Sequence, residues 1–167
     1  MKNILLFILA GAALALASYA VISKPKVAYV RSENLIYNYE GTREAKAQYQ
    51  KKLSIWEANI DTLRQELRRF EAGLDKKQPA QMEELALRQS QLQQYAQAIG
   101  QKAEDEDSKT MEAVLSQINA FTEQYGKEQG YDLILGTTSA GNLLYAPEAL
   151  DITDELLKAL NKEYHGE

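Results

Sequence analysis

The sequence has no cysteine, only three prolines and a single histidine in 167 residues. Without cysteine there is no disulfide framework and no thiolate zinc site. The formal net charge of −5 excludes the excess of clustered Lys and Arg that non-specific nucleic-acid binding requires. No nucleic-acid partner is expected. The lone His165 stands almost at the C-terminus and reads as solvated tail. Gly136 to Gly141 is glycine-bounded and rich in hydroxyls, but it lacks the Gly-Lys-Ser/Thr ending of a phosphate loop, so it reads as a turn. The acidic run Glu104 to Asp107 falls within a helical pattern, where successive carboxylates point around the axis and cannot close a calcium cage. The tyrosines are scattered, with no acid, base and nucleophile in a common pattern. No catalytic residue, no cofactor and no metal site is therefore expected, and the chain is not expected to be an enzyme.

What is abundant is a coiled-coil period. Through Tyr49, Leu53, Trp56, Ile60, Leu63, Leu67, Phe70 and Leu74 the apolar steps alternate four and three, the spacing that keeps a supercoiled helix facing one partner. The period restarts at Met82, Leu85, Leu92, Tyr95 and Ile99. Between them lies Pro79, which cannot sit inside a helix but suits the first turn of a new one. Residues 42–129 thus read as an antiparallel coiled-coil hairpin with its tip near 77–79. Folding back there sets Ile60 and Leu63 near Leu92, Tyr95 and Ala96, and Lys51 and Lys52 against Glu104 to Asp107. With a rise of 1.5 Å per residue, arms of about 50 and 75 Å exceed a small domain, so the hairpin is expected to project. Two helices cannot cover every apolar side chain at such a tip, and Phe70, Leu74, Met82, Leu85 and Leu87 are the candidate contacts for a partner.

The ends of the chain read differently. Met1-Lys2-Asn3 precedes an uncharged apolar run from Ile4 to Ile22, the pattern of an export signal. Ser18-Tyr19-Ala20 offers a small-x-small cleavage site, making residues 1–20 a signal peptide. The alternative is an uncleaved anchor over 4–22, long enough to span a bilayer, which would associate the chain with a membrane. Strands are expected near 27–31, 131–137 and 143–146, the last two as an antiparallel hairpin across the turn. Gly130 is the expected C-cap of the long helix, and Thr153 the expected N-cap of a C-terminal helix with Leu156, Leu157, Leu160 and Tyr164 as its buried stripe. The fold class is α+β, mostly α. Residues 26–41 and 130–167 form a small β-rich body, too few to be stable as a lone core. Val27, Tyr29, Leu133, Ile134, Leu135, Leu143 and Tyr145 are its candidate oligomerisation residues.

This order of elements resembles the Skp/OmpH family of periplasmic chaperones over essentially the whole exported chain. The resemblance is carried by Val27-Ala28-Tyr29-Val30, by Tyr131-Asp132-Leu133-Ile134-Leu135, by Tyr145 and by Asp151-Ile152-Thr153-Asp154-Glu155-Leu156-Leu157. It implies a homotrimer in which strands of three chains build a central barrel and three hairpins hang as tentacles around a cavity. Unfolded outer-membrane β-barrel proteins would be held there without ATP, in the periplasm. Well-known members are strongly basic, whereas this chain is acidic, so lipid binding is not carried over. Two other classes share a hairpin. A membrane-anchored structural coiled-coil adaptor of the cell envelope would bind one folded partner and ignore denatured chains. A prefoldin-like cytosolic chaperone is opposed by the export signal.

Overall fold

The computed structural model describes residues 24–75 and 77–166. The export segment, whether residues 1–20 or 4–22, lies outside the described residues. In chain order the elements are β1 (Val27–Arg31), α1 (Ser32–Asn38), α2 (Glu40–Ala72), α3 (Pro79–Gln129), β2 (Leu133–Thr137), a single 3-10 turn (Glu148–Leu150) and α4 (Thr153–Tyr164). The protein is mostly α, with a helical hairpin and a small strand pair. Among the described residues no helix is long and apolar enough to cross a membrane. By contacts the chain divides into two compact units, residues 24–35 with 120–156 and residues 36–119 with 157–166.

In the first unit β1 and β2 pair in parallel, in a register that sets Val27 beside Leu133 and Arg31 beside Thr137. Parallel neighbours need a long crossover, and the intervening helices provide it. Alternation along β1 buries Ala28 and Val30, which pack in a core with Leu35, Ile152 and Leu156. The other edge of β1 is closed by residues 151–152: Tyr29 bridges to Asp151, and the Ile152 N–H donates to the Tyr29 carbonyl at 3.0 Å. The end of α3 is a Schellman cap. Gly130 takes φ +69°, the Tyr131 N–H donates back to the Gly126 carbonyl at 2.8 Å, and the Gly130 N–H donates to Lys127. Lys26 adds its ammonium to the Gln129 carbonyl at 2.8 Å while lying over the Tyr131 ring.

Two expectations fail here. Residues 143–146 form no strand, and β2 has no antiparallel partner. The apparent hairpin turn is a self-contained loop: Asn142 accepts from the Thr138 N–H and donates to the Gly136 carbonyl, and Ser139 donates twice to Glu33. That loop does not return the chain alongside β2. Thr153 is not the N-cap either. It is the first helical residue, and its buried hydroxyl accepts from the Arg31 N–H and donates to Asp151, whose carboxylate also accepts from the Thr153 N–H. Asp151 therefore supplies the acceptor that the threonine was expected to supply.

The second unit is built on α2 and α3. Their contacts run in opposite order along the chain: Lys52 meets Glu106 at 2.7 Å, Lys102 lies over Trp56, and Arg88 lies over Phe70 at 4.3 Å, while the long Tyr49 side chain donates to the Ala103 carbonyl at 3.1 Å in the same stretch. The helices are antiparallel in the register expected from Lys52 and Glu106. Reversal occupies residues 73–78, beginning earlier than the expected tip, because Gly73 ends α2 and Asp75 draws the Lys77 and Gln78 N–H groups onto itself. Pro79 opens α3 as its fixed φ and missing N–H favour. Near the start of α2 the buried Tyr39 ring meets Tyr164 edge-on at 5.6 Å. There Asn161 accepts from the Glu40 N–H, Tyr164 donates to Glu44, and His165 pairs with Glu40 at 2.9 Å. His165 is thus part of a contact and not solvated tail, and Tyr164 is anchored by its hydroxyl more than by burial.

Candidate binding surfaces

The paired helices present apolar groups in two ways. Most seam residues of α2, from Tyr49 and Leu53 to Phe70, are half-buried, as is Leu74 just beyond it, which is what a two-helix contact leaves when no third helix covers its flanks. Others stand outside. Leu87 is 57% exposed, and Met82 and Ile55 are also exposed. Of the five apolar residues expected to meet a partner, Phe70 lies half-buried beneath the Arg88 guanidinium and Leu74 is half-buried. Met82 and Leu87 are open, and Leu85, at 8% exposure, is buried. Leu85 is internal packing and presents no surface, because it lies on the inner seam of α3 at the spacing shared with Leu92. Ile55 was not expected, although its place between the seam residues Leu53 and Trp56 puts it off the stripe.

Between the helices a cleft of about 340 Å³ opens, lined by Leu63, Leu67, Leu92 and Tyr95, with Glu66 and Arg88 among its polar groups. Arg88 is turned toward Glu84, at 2.6 Å, and Phe70. A second cleft of about 270 Å³ is more polar, bounded by Glu44, Gln48, Tyr49, Lys52 and Gln117. At its edge the Lys52 ammonium donates to Glu106 and holds that carboxyl below its ordinary range. Thr42 beside it carries a buried hydroxyl without a partner.

The strand residues are open on one face. Leu133 is 47% exposed, Leu135 is exposed, and Val27, Tyr29, Ile134 and Leu143 are half-buried. Beyond β2, Leu144 and Tyr145 are 94% and 84% exposed. Leu144 was missed as a surface residue because, next to Tyr145, it reads as the inner member of an alternating strand. Burial raises the Tyr125 hydroxyl above its usual range in this unit, where its ring stacks with that of Tyr131. For Asp151, burial works against ionisation, but the Thr153 hydrogen bonds and the Arg31 guanidinium at 3.1 Å outweigh it, leaving the carboxyl below its ordinary value. Among the described residues no group of His, Asp and Glu could hold a metal ion. What the surfaces offer is apolar contact with scattered polar rims.

A parallel strand pair interrupted by a long helical hairpin and followed by a terminal helix defines an OmpH-like architecture. The family model described as "Outer membrane protein (OmpH-like)" matches residues 26–160, and the chain belongs to that family. The crystal structure of a protein from Caulobacter crescentus CB15 described as a "putative outer membrane chaperone (OmpH-like)" has the same fold, with a TM-score of 0.60 and 17% identity, covering 84% of this chain and 86% of that one. No protein with a curated description matches.

Proposed function

We propose that the protein is an ATP-independent holdase of the periplasm, not an enzyme, that binds unfolded outer-membrane β-barrel proteins between the helical hairpins of a homotrimer and prevents their aggregation. The observation that carries this reading is the α2–α3 pair, whose seam is only half-covered along most of its length and ends in exposed Met82 and Leu87. Many shallow apolar contacts suit a client that stays disordered, because no single contact has to order the bound chain. Affinity is then spread over both helices. The exposed Leu133, Leu135, Leu144 and Tyr145 support assembly with further copies, since apolar groups clustered on one small unit favour burial against another surface.

The test is light scattering of a urea-denatured β-barrel protein diluted into buffer without nucleotide, with and without this protein as the cell exports it. Suppression of scattering near a stoichiometric ratio is expected, persisting across a range of salt. Unchanged scattering at excess protein would overturn the holdase reading in favour of an envelope adaptor.

A further inference from the structure

The apolar seam of α3 has a gap. From Leu85 the next inward position before Leu92 falls to Arg88 or Gln89, and both are exposed. Arg88 does not fill the space. Its guanidinium is committed to Glu84 and to the face of Phe70, which leaves Leu63 and Leu67 of α2 without a full complement of partners on α3. The 340 Å³ cleft is the volume of that missing knob and its surroundings. An apolar cavity of about 150 Å³ is enough to take benzene, so an aromatic ring fits with room to enter.

The rim selects among occupants. Its polar groups are Gln91, Arg88, already paired with Glu84, and the carboxylate of Glu66, so an anionic side chain is repelled, and a Lys or Arg would have to strip water from its own charge against the leucine walls to reach Glu66. Glu66 has no hydrogen-bond or ion-pair partner among the described residues. A purely apolar side chain would desolvate that carboxylate and give nothing in return. A ring with a neutral donor satisfies both walls and rim, and of the two such side chains tyrosine is the smaller and carries its donor at the end of the ring, where tryptophan carries it on the side.

Resting on the holdase reading, we propose that the cleft between α2 and α3 receives tyrosine side chains of the client, the ring between Leu63, Leu67 and Leu92 and the hydroxyl donating to Glu66. The bound ring takes the place in the seam that α3 leaves empty. Occupancy therefore tightens the helix pair at that level, and the client chain contributes to the coil that holds it.

The probe is p-cresol titrated into the full-length protein and followed by methyl NMR of Leu63 and Leu92, with toluene as the control. Expected is saturable binding at those methyls, about three- to tenfold tighter for p-cresol than for toluene, the net size of one ordinary hydrogen bond. Glu66→Ala, at an exposed position, should abolish the preference and keep the fold. Arg88→Leu, at the inward position that lines the cleft, should fill the gap and weaken both ligands. Equal affinities for the two probes, or a preference that survives Glu66→Ala, would overturn the tyrosine site while suppression of aggregation leaves the holdase reading standing. If p-cresol binds as expected but the protein suppresses no aggregation, the phenol site stands and the holdase reading fails.

Discussion

Replacing Asp151 by Ala removes the acceptor that joins the start of α4 to the open edge of β1. Its carboxylate receives the Thr153 N–H and hydroxyl and pairs with Arg31 at 3.1 Å. The bond to the Thr153 N–H is a cap of the helix start, contributing about 1 kcal/mol. Loss of the hydroxyl bond leaves a fully buried Thr153 donor without a partner, about another 1 kcal/mol at the low end of that penalty. The Arg31 side chain is half exposed, so its ion pair adds no more than about 0.5 kcal/mol. Asp151→Ala should therefore destabilise the protein by about 2 kcal/mol at neutral pH, a fall of roughly 4–8 °C in Tm. Because assembly couples stability to concentration, both proteins are melted by circular dichroism at the same chain concentration. The folded carboxyl lies below its ordinary value of 3.8. A depressed carboxyl contributes stability that is present above the unfolded value, near pH 4, and is lost as pH falls through the folded one. The gap between wild type and variant should narrow below about pH 4, with Asp151→Asn intermediate at neutral pH. An unchanged gap at low pH, or no gap at pH 7, would refute the assignment of Asp151 as the charged clasp of this edge.

Leu133→Asp changes a side chain that is already half exposed, so in an isolated chain it should cost no more than about 0.5 kcal/mol. If the proposed trimer is built through β2, analytical ultracentrifugation at matched concentration should instead show its loss, and an unaltered sedimentation coefficient would remove β2 from the interface. Gly41→Ala drives a methyl into the Tyr39 ring, so Tyr39 and its hydrogen bond to Gln117 must shift at a cost of about 1–3 kcal/mol. A melt indistinguishable from wild type would show that Tyr39 is not held where α2 begins.

What could be read from the sequence was local or periodic. The alternating four and three steps located both long helices, Pro79 marked the restart, and the Lys52–Glu106 pair fixed the register because the charges occur where the apolar stripe lapses. Gly130 announced its cap, since only a residue free to take positive φ ends a helix in that way. The parallel pairing of β1 with β2 was not legible: partner choice lies in hydrogen bonds between residues 106 apart, and no short pattern encodes it. The turn from Gly136 to Asn142 misled because its composition suits a hairpin equally well, whereas the Asn142 amide closes it on itself. For the binding surface, periodicity identified the stripe but not the depth of each side chain, so buried Leu85 and exposed Leu87 looked alike. The gap at Arg88 was visible as a missing apolar step, yet only the direction taken by its guanidinium turns that step into a cleft.

The pairing of Val27 with Leu133 also sets the order in which the chain can fold. The two strands lie 106 residues apart, so bringing them together in the open chain has a high entropy cost. The hairpin closes over a far shorter connection between its helices and can form first. Its closure shortens the effective loop between the two strands and lowers the entropy cost of bringing them together. The long helices thus act on their own chain before they meet any other, as the splint that brings its first strand to its last-made one.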